Sequence, residues 1–445
     1  MGILLQIIQV IIALSILILV HEAGHFCFSK IFGIRVDKFF LFFDAGGIKL
    51  LSTKSGWFSR LFPKMKDWDT EYGIGWLPLG GYCKISGMID ESMDTEHLGK
   101  EPQEWEFRSK PAWQRLLVMS GGVLFNFLLA AVLYTAVLAG WGESYISNEG
   151  SRIYVNDLAY DMGFRNGDHI ISLDGHEPEN FHMLQAEMAR QMTEKATVLR
   201  KGDTLDIYLD HNRIGEILNS PGMFSLAIPF CVSSIDEDSP NADSILKEGD
   251  TIIGIEGTEV EFVQDAWPIL KRMAGETVSV NIIHEADTLE TALQVDTAGR
   301  LGIFLRQPEI RTKEYNVLTA IPAGIKKTFD SIGGYAKDLK LVATPKTEAY
   351  KSVGSFIAIG QVFPKVWDWP AFISICAMLS IMLGVMNLIP IPALDGGHIV
   401  FTLYEMLTGR KPSDKFLMVM QALGMLLLMA LIFLAFGNDI GRLLR

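Results

Sequence analysis

The sequence predicts a multi-span α-helical membrane protein with about four crossing helices, a looped β segment after the first, and two small α+β domains between the second and third. Three observations predict it. Charge-free apolar stretches recur at four places along the chain. A Gly- and aromatic-rich segment alternates with period two. A Gly-Asp-centred pattern occurs twice in the long stretch between the second and third apolar runs.

A bilayer crossing needs roughly 20 apolar residues. Ile3–Val20 and Leu116–Trp141 carry no charge, nor does Ala371–Ile389, and in Phe416–Phe436 the main polar interruption is Gln421. With their flanks, these predict spans over about 3–28, 113–141, 371–389 and 416–436. The first run lacks a basic leader and a small-residue cleavage site, so an uncleaved span is expected. Charged residues make up 20 % of the chain and apolar ones 49 %, whereas a soluble domain carries about 25 % charge. Mean hydropathy is +0.25.

The second observation is the segment 44–87. Its most regular part, Glu71-Tyr-Gly-Ile-Gly-Trp-Leu-Pro-Leu-Gly-Gly-Tyr-Cys-Lys-Ile-Ser-Gly87, reads as a hairpin or looped sheet. Asp90–Glu106 is acidic and polar, an exposed loop by composition. The third is the echo between Asp161–Gly175 and Asp243–Gly257. Both copies contain Gly-Asp-x-Ile-Ile-x-φ-acid-Gly, where φ is apolar. Each predicts a short helix, a tight Gly-Asp turn, a buried strand and a second turn. A spacing of about 80 residues suits two tandem domains rather than a solenoid. After them, Val317, Ile321, Ile325, Phe329 and Ile332 fall at helical spacing and predict an amphipathic helix over 315–342.

The net charge of −13 argues against nucleic acid as a partner. The four cysteines, Cys27, Cys83, Cys231 and Cys376, form no C-x-x-C pair, so neither a disulfide framework nor a cysteine metal site is indicated. Lys30, Arg35 and Lys38 follow the first run, Arg108, Lys110 and Arg115 precede the second, and Arg410, Lys411 and Lys415 separate the last two. Segments 26–115 and 398–415 are therefore expected in the cytoplasm and 143–370 outside, with Arg442 and Arg445 running against that assignment.

The chemistry begins at His21-Glu-Ala-Gly-His25, directly after the first run. On a continuing helix the two histidines stand one turn apart on one face, so both imidazoles reach one metal ion, with Glu22 beside it as candidate general base. Zinc held by three protein ligands keeps a fourth position for water. Ionisable groups at membrane depth are costly and functional by default. Cys27, two residues past His25, points elsewhere on a helix. A third ligand must come from another segment, and Asn387-Leu-Ile-Pro-Ile-Pro-Ala-Leu-Asp-Gly-Gly-His398 offers Asp395 and His398. Pro390 and Pro392 break the third span, and non-helical backbone at that depth must line protein or a water-filled cavity. Asp395 could alternatively cap the next helix. Asn387 is placed to hydrogen-bond a substrate backbone or a developing oxyanion.

His-Glu-Ala-Gly-His at the first span, with Asn-x-x-Pro-x-x-x-Leu-Asp-Gly-Gly late in the chain, resembles the site-2 protease family of intramembrane zinc metalloproteases. The tandem echo resembles paired PDZ domains. Together they resemble the regulator-of-sigma-E protease branch over nearly the whole chain. The resemblance implies zinc bound by His21, His25 and Asp395, Glu22 as catalytic base and Asn387 in substrate binding. It also implies a membrane-associated β-loop over about 71–87, whose Tyr72, Gly73, Ile74 and Gly75 contact substrate. Phe125 and Asn126 match a Phe-Asn pair after two glycines in the second span. Gly354-Ser355-Phe356-Ile357 departs from the Gly-Pro-φ-x-Ile pattern expected there.

The implied organisation is a protease core over 1–142 and 370–445, PDZ-like domains over 143–220 and 221–310, and a helical connector over 311–369. The implied substrates are single-span membrane proteins already shortened by a first protease, such as anti-sigma factors and remnant signal peptides. The implied location is the bacterial inner membrane, in contact with lipid, with the PDZ domains extracytoplasmic and the zinc site toward the cytoplasm.

Overall fold

The computed structural model describes residues 2–88, 101–220, 222–285 and 287–444. Most of the expected acidic loop over 90–106 therefore lies outside the described residues; of its described end, 101–105 are exposed and Glu106 is buried. In chain order the elements begin with α1 (Gly2–Ile31), β1 (Val36–Phe43), β2 (Lys49–Ser52), α2 (Gly56–Leu61), β3 (Glu71–Gly75), β4 (Leu77–Ile85) and α3 (Ala112–Trp141). There follow β5 (Glu143–Ile146), β6 (Ile153–Val155), α4 (Asp157–Asp161), β7 (His169–Leu173), α5 (Leu184–Gln191), β8 (Lys195–Arg200), β9 (Asp203–Tyr208), α6 (Ile214–Asn219) and β10 (Phe224–Leu226). Then come β11 (Val232–Ile235), β12 (Thr251–Ile255), β13 (Thr258–Glu259), α7 (Val263–Arg272), β14 (Thr277–His284), β15 (Asp287–Gln294), β16 (Ile303–Leu305) and β17 (Ile310–Lys313). The chain closes with α8 (Val317–Ala343), α9 (Phe356–Val362), α10 (Trp369–Leu388), α11 (Asp395–Thr408) and α12 (Asp414–Leu443). Contacts divide it into two compact units, one of 1–143, 314–340 and 351–445, the other of 144–313 and 341–350.

Among the described residues, four helices of the first unit are long and apolar enough to cross a bilayer: α1, α3, α10 and, within α12, Lys415–Gly441. The chain is a multi-pass membrane protein. On α1 the buried residues Gln9, Ala13, Leu17, His21, Gly24, His25 and Ser29 recur every three or four positions and form one stripe. That stripe packs against α3 through backbone contact. A Cβ on Gly24 would stand 2.2 Å from the Gly121 carbonyl oxygen, and one on Gly122 would stand 2.5 Å from both the His21 and His25 rings. Small residues let membrane helices approach this closely. α10 starts on the Asp368 cap, whose carboxylate accepts from the Ala371 amide at 2.8 Å, and stops just before Pro390. It meets α3 where the Ser380 hydroxyl donates to the Asn126 carbonyl at 2.8 Å.

The segment after α1 folds as a four-stranded sheet in the order β2-β3-β1-β4. β3 runs parallel to β1 and antiparallel to β2, while β4 is antiparallel to β1. Paired charges tie it together: Lys49 bonds Glu71 at 2.6 Å, and Tyr82 donates to Asp44 at 2.8 Å beside Lys38.

The second unit has two cores. One gathers Phe164, Ile170, Leu173, Leu184 and Met188 on the sheet β7-β8-β9; the other gathers Ile252, Ile255, Leu270, Val280 and Ile282 on β13-β12-β14-β15. The repeated Gly-Asp has a physical cause in both. Gly167 and Gly249 take φ of +87° and +92°, open to glycine. The following carboxylate turns back to accept the amide three residues earlier, Asp168 from Arg165 at 2.9 Å and Asp250 from Lys247 at 2.8 Å. The copies differ in one respect from the expected pattern. The first has its short helix, α4, capped by Asn156 accepting from the Ala159 amide. The second has no helix before its Gly-Asp turn; there the Asn241 side chain donates to the Gln294 and Leu301 carbonyls at 2.7 and 2.8 Å.

Gly24→Ala places a methyl against backbone that cannot yield, and such overpacking costs about 1–3 kcal/mol. A lower unfolding midpoint in detergent is expected; an unchanged midpoint would show that α1 and α3 do not need this approach.

Candidate metal centre

His21 and His25 lie on the buried stripe of α1, one turn apart, at 7 % and 6 % exposure. The third group arrives from the other end of the sequence. After α10 stops, Pro390 and Pro392 carry the chain through an irregular turn in which Ala393 takes φ of +84°, a conformation costly for a residue with a Cβ. α11 then opens on Asp395. Its N-cap position is Leu394, with no side-chain cap bond, so the carboxylate is spent elsewhere. Asp395 Oδ2 stands 3.3 Å from Nε2 of His21 and 3.3 Å from Nε2 of His25, and the two Nε2 atoms are 3.3 Å apart. Among the described residues this trio is the group of potential metal ligands that converges on one point. His398 and Cys27 are not part of it.

The donor set and its spacing fit zinc. Nitrogens about 2.0–2.1 Å from a tetrahedral ion stand about 3.3 Å from each other, and two imidazoles with a carboxylate is a known hydrolytic zinc set. Asp395 Oδ2 is buried and has no hydrogen-bond partner, a costly state for a carboxylate that a cation would relieve. The outer nitrogens are also committed. His25 Nδ1 faces the Val118 carbonyl at 2.8 Å, which requires the proton on Nδ1 and leaves Nε2 with its lone pair free for a metal. His21 Nδ1 faces the Asn126 amide at 3.0 Å. With Nε2 of His21 given to a metal, Nδ1 carries the proton and Asn126 presents its oxygen there, an amide orientation set by the network.

Glu22 sits beside the trio, and its carboxylate takes a hydrogen bond from the Cys83 backbone amide of β4. Asn387, near the end of α10, places its amide 3.3 Å from His21 Nε2. These two are therefore gathered at the same point as the trio. Tyr72, Gly73, Ile74 and Gly75 are placed differently. They form β3, which has a partner strand on each side, so their backbone offers no open edge; the edges of the sheet are β2 and β4. Tyr72, Gly73 and Ile74 instead line an apolar groove with Leu19, Leu51 and Phe58.

Several supporting groups are not legible in the motifs. The Val118 carbonyl and Cys83 amide are backbone atoms, invisible to residue type. Arg115 at the start of α3 pairs with Glu405 of α11, which ties the Asp395 helix to the helix behind the histidines; both residues read as ordinary flanking charges. The unexpected Ser355 has a role of its own. Its amide and hydroxyl donate to Asp439 Oδ2 at 2.8 and 2.5 Å, and its hydroxyl oxygen caps α9. A proline there would lack that amide.

A buried two-histidine, one-carboxylate centre with an adjacent glutamate, set among membrane-spanning helices, defines a membrane-embedded metallohydrolase. The profile of peptidase family M50 matches residues 9–431, and the chain belongs to that family. It is similar over its full length to the regulator of sigma-E protease of Salmonella typhimurium, with 26 % identity covering 100 % of both chains. The regulator of sigma E protease of Haemophilus influenzae is 26 % identical, covering 97 % of this chain and 98 % of its own. A Rickettsia conorii protein described as a zinc metalloprotease is 26 % identical over 99 % of both. A solved PDZ domain from Listeria monocytogenes is 28 % identical over 17 % of this chain and 84 % of its own, with a TM-score of 0.16.

Asn126→Ala removes the partner of the His21 ring. Loss of such a partner typically weakens a metal site by about 10–100-fold, to be read by titration of the purified protein against a zinc buffer. Wild-type affinity would mean that Asn126 does not orient His21.

Proposed function

We propose that this chain is an intramembrane zinc metalloprotease that hydrolyses peptide bonds within or near the membrane span of single-span proteins. The observation that carries the reading is the convergence of His21, His25 and Asp395 at 3.3 Å between helices that cross the bilayer. In this reading those three residues hold the ion. Bound zinc supplies Lewis acidity for the scissile carbonyl and for the attacking water. Glu22 takes the proton of that water and returns it to the leaving amine nitrogen. Asn387 donates its amide to the substrate carbonyl, where charge develops.

A helical substrate hides its peptide groups in its own hydrogen bonds, so it must open before it can be cut. An exposed strand edge supplies replacement partners by strand addition. The edge that reaches the site is β4, since the Cys83 amide already touches Glu22. The β-loop therefore clamps substrate through β4, and Tyr72, Gly73 and Ile74 contribute the side-chain groove.

The two small domains act as PDZ-like modules that exclude bulky extracytoplasmic domains, so that a first protease must shorten the substrate before entry. The names of the full-length relatives, together with the repeat, support this reading, with anti-sigma factors and remnant signal peptides as the substrate class. The distribution of Lys and Arg supports a cytoplasmic-side zinc site and extracytoplasmic domains in a bacterial inner membrane.

The deciding experiment is cleavage of a single-span model substrate. Wild type is expected to cut it, chelator to stop the reaction and added zinc to restore it. Glu22→Gln is expected to give no product while retaining its metal; product from that variant would remove Glu22 from the mechanism. Backbone N-methylation scanned along the substrate is expected to slow cleavage at alternate positions, since strand amides alternate in direction; a flat scan would rule out strand addition. Deleting 145–306 is expected to admit precursors that have not been shortened, and continued rejection would refute the filter.

A further inference from the structure

The second unit contains a cleft of about 600 Å³ that the proteolytic reading does not use. Its walls come from the Gly-Asp turn of the first small domain, from the β8–β9 hairpin and from Glu261. Four cationic side chains line it: Arg152, Arg165, Arg200 and Lys201. This concentration stands out in a chain of net charge −13.

The charges are not equally available. Arg200 is held in a bidentate pair with the buried Asp168 at 2.7 and 2.8 Å and is neutralised there. Arg152 faces Glu261 at 3.6 Å on the rim. Arg165 lies 3.9 Å over the Tyr160 ring and spends Nη1 on the Tyr160 and Phe164 carbonyls, which fixes its plane. It has no carboxylate partner among the described residues. Lys201, at the tip of the hairpin, is likewise without an acidic partner among the described residues. An incoming ligand therefore meets two uncompensated positive charges, one of them preorganised on the Tyr160 ring, with Leu199 also lining the cleft.

We propose that this cleft binds an acidic peptide segment. A fixed guanidinium suits a carboxylate, which it can grip through two parallel hydrogen bonds. Leu199 accepts the methylenes of Asp and Glu side chains or a neighbouring apolar residue. Glu261 on the rim disfavours a compact dianion and leaves room for carboxylates spaced along a chain. The site is distinct from the metal centre, and its ligand is recognised by charge pattern and not by a free C-terminus.

The test measures binding and not cleavage, so it is independent of the proteolytic reading. Full-length Glu22→Gln protein in neutral detergent is titrated into a fluorescent octapeptide rich in Asp and Glu, with an amidated C-terminus, and followed by anisotropy. The Asn/Gln analogue of the peptide is expected to bind about tenfold more weakly, and the Arg165→Glu, Lys201→Glu double variant to lose about tenfold for the acidic peptide, as charge-assisted bonds are removed. Glu261→Gln is expected to tighten binding about threefold, the scale of one exposed charge pair, a gain that misfolding cannot produce. Equal binding by wild type and both variants would overturn the proposal. So would inorganic phosphate or phosphatidylglycerol vesicles displacing the peptide at equal charge concentration, which would make the cleft a simple anion or lipid-headgroup site.

Discussion

The backbone contact between α1 and α3 is the constraint on which the metal centre depends. Gly24 lies against the Gly121 carbonyl, and Gly122 lies under both imidazoles. Any side chain at these positions would push the helices apart by more than a hydrogen bond can stretch. With the helices this close, the Val118 carbonyl reaches His25 and the Asn126 amide reaches His21. Those two contacts hold the rings with their Nε2 atoms 3.3 Å apart. The spacing of the motif alone gives two histidines on one face; the neighbouring helix gives them their tautomers and their aim.

The second half of the site depends on a break. α10 stops before Pro390, the chain turns through Ala393 with positive φ, and α11 restarts on Asp395. The turn is braced from behind by α12, where a Cβ on Gly424 would stand 1.6 Å from the Pro392 carbonyl oxygen. It is also braced by the Arg115–Glu405 pair joining α11 to α3. Backbone outside a helix at this depth needs protein around it, and these contacts supply it. The strain at Ala393 is the cost of delivering a carboxylate to histidines 370 positions and more away in sequence.

The sheet after α1 reaches Glu22 through one strand. Its inner strands, β1 and β3, are saturated with partners, so the open edges are β2 and β4. On β4 the Cys83 backbone amide hydrogen-bonds Glu22. Glycine content and alternation marked 71–87 as strand, and the family resemblance implied substrate contact at Tyr72–Gly75; neither says which strands are its neighbours. Strand order is set by pairing between residues distant in sequence, and it places β3 inside the sheet with β2 and β4 at its edges.

Local chemistry explains what the sequence by itself determined. Four apolar runs without charge can only be buried in lipid or protein, so the spans were legible from composition. A His-Glu-x-x-His on a helix fixes its own face by the pitch of 3.6 residues per turn, so the two histidines of the metal centre were legible from spacing. Gly-Asp turns carry a positive-φ glycine and a carboxylate that caps its own loop, so the repeat was legible twice. Residue spacing left Asp395 and His398 both open, and the family resemblance pointed to Asp395, which joins the histidines; the role of Asn126, the bonds from Ser355 to Asp439 and the cationic cleft around Arg165 were not legible. Each depends on which segments meet across the fold, and that is decided by packing of helix on helix and strand on strand, where the partner is a backbone atom or a residue hundreds of positions away.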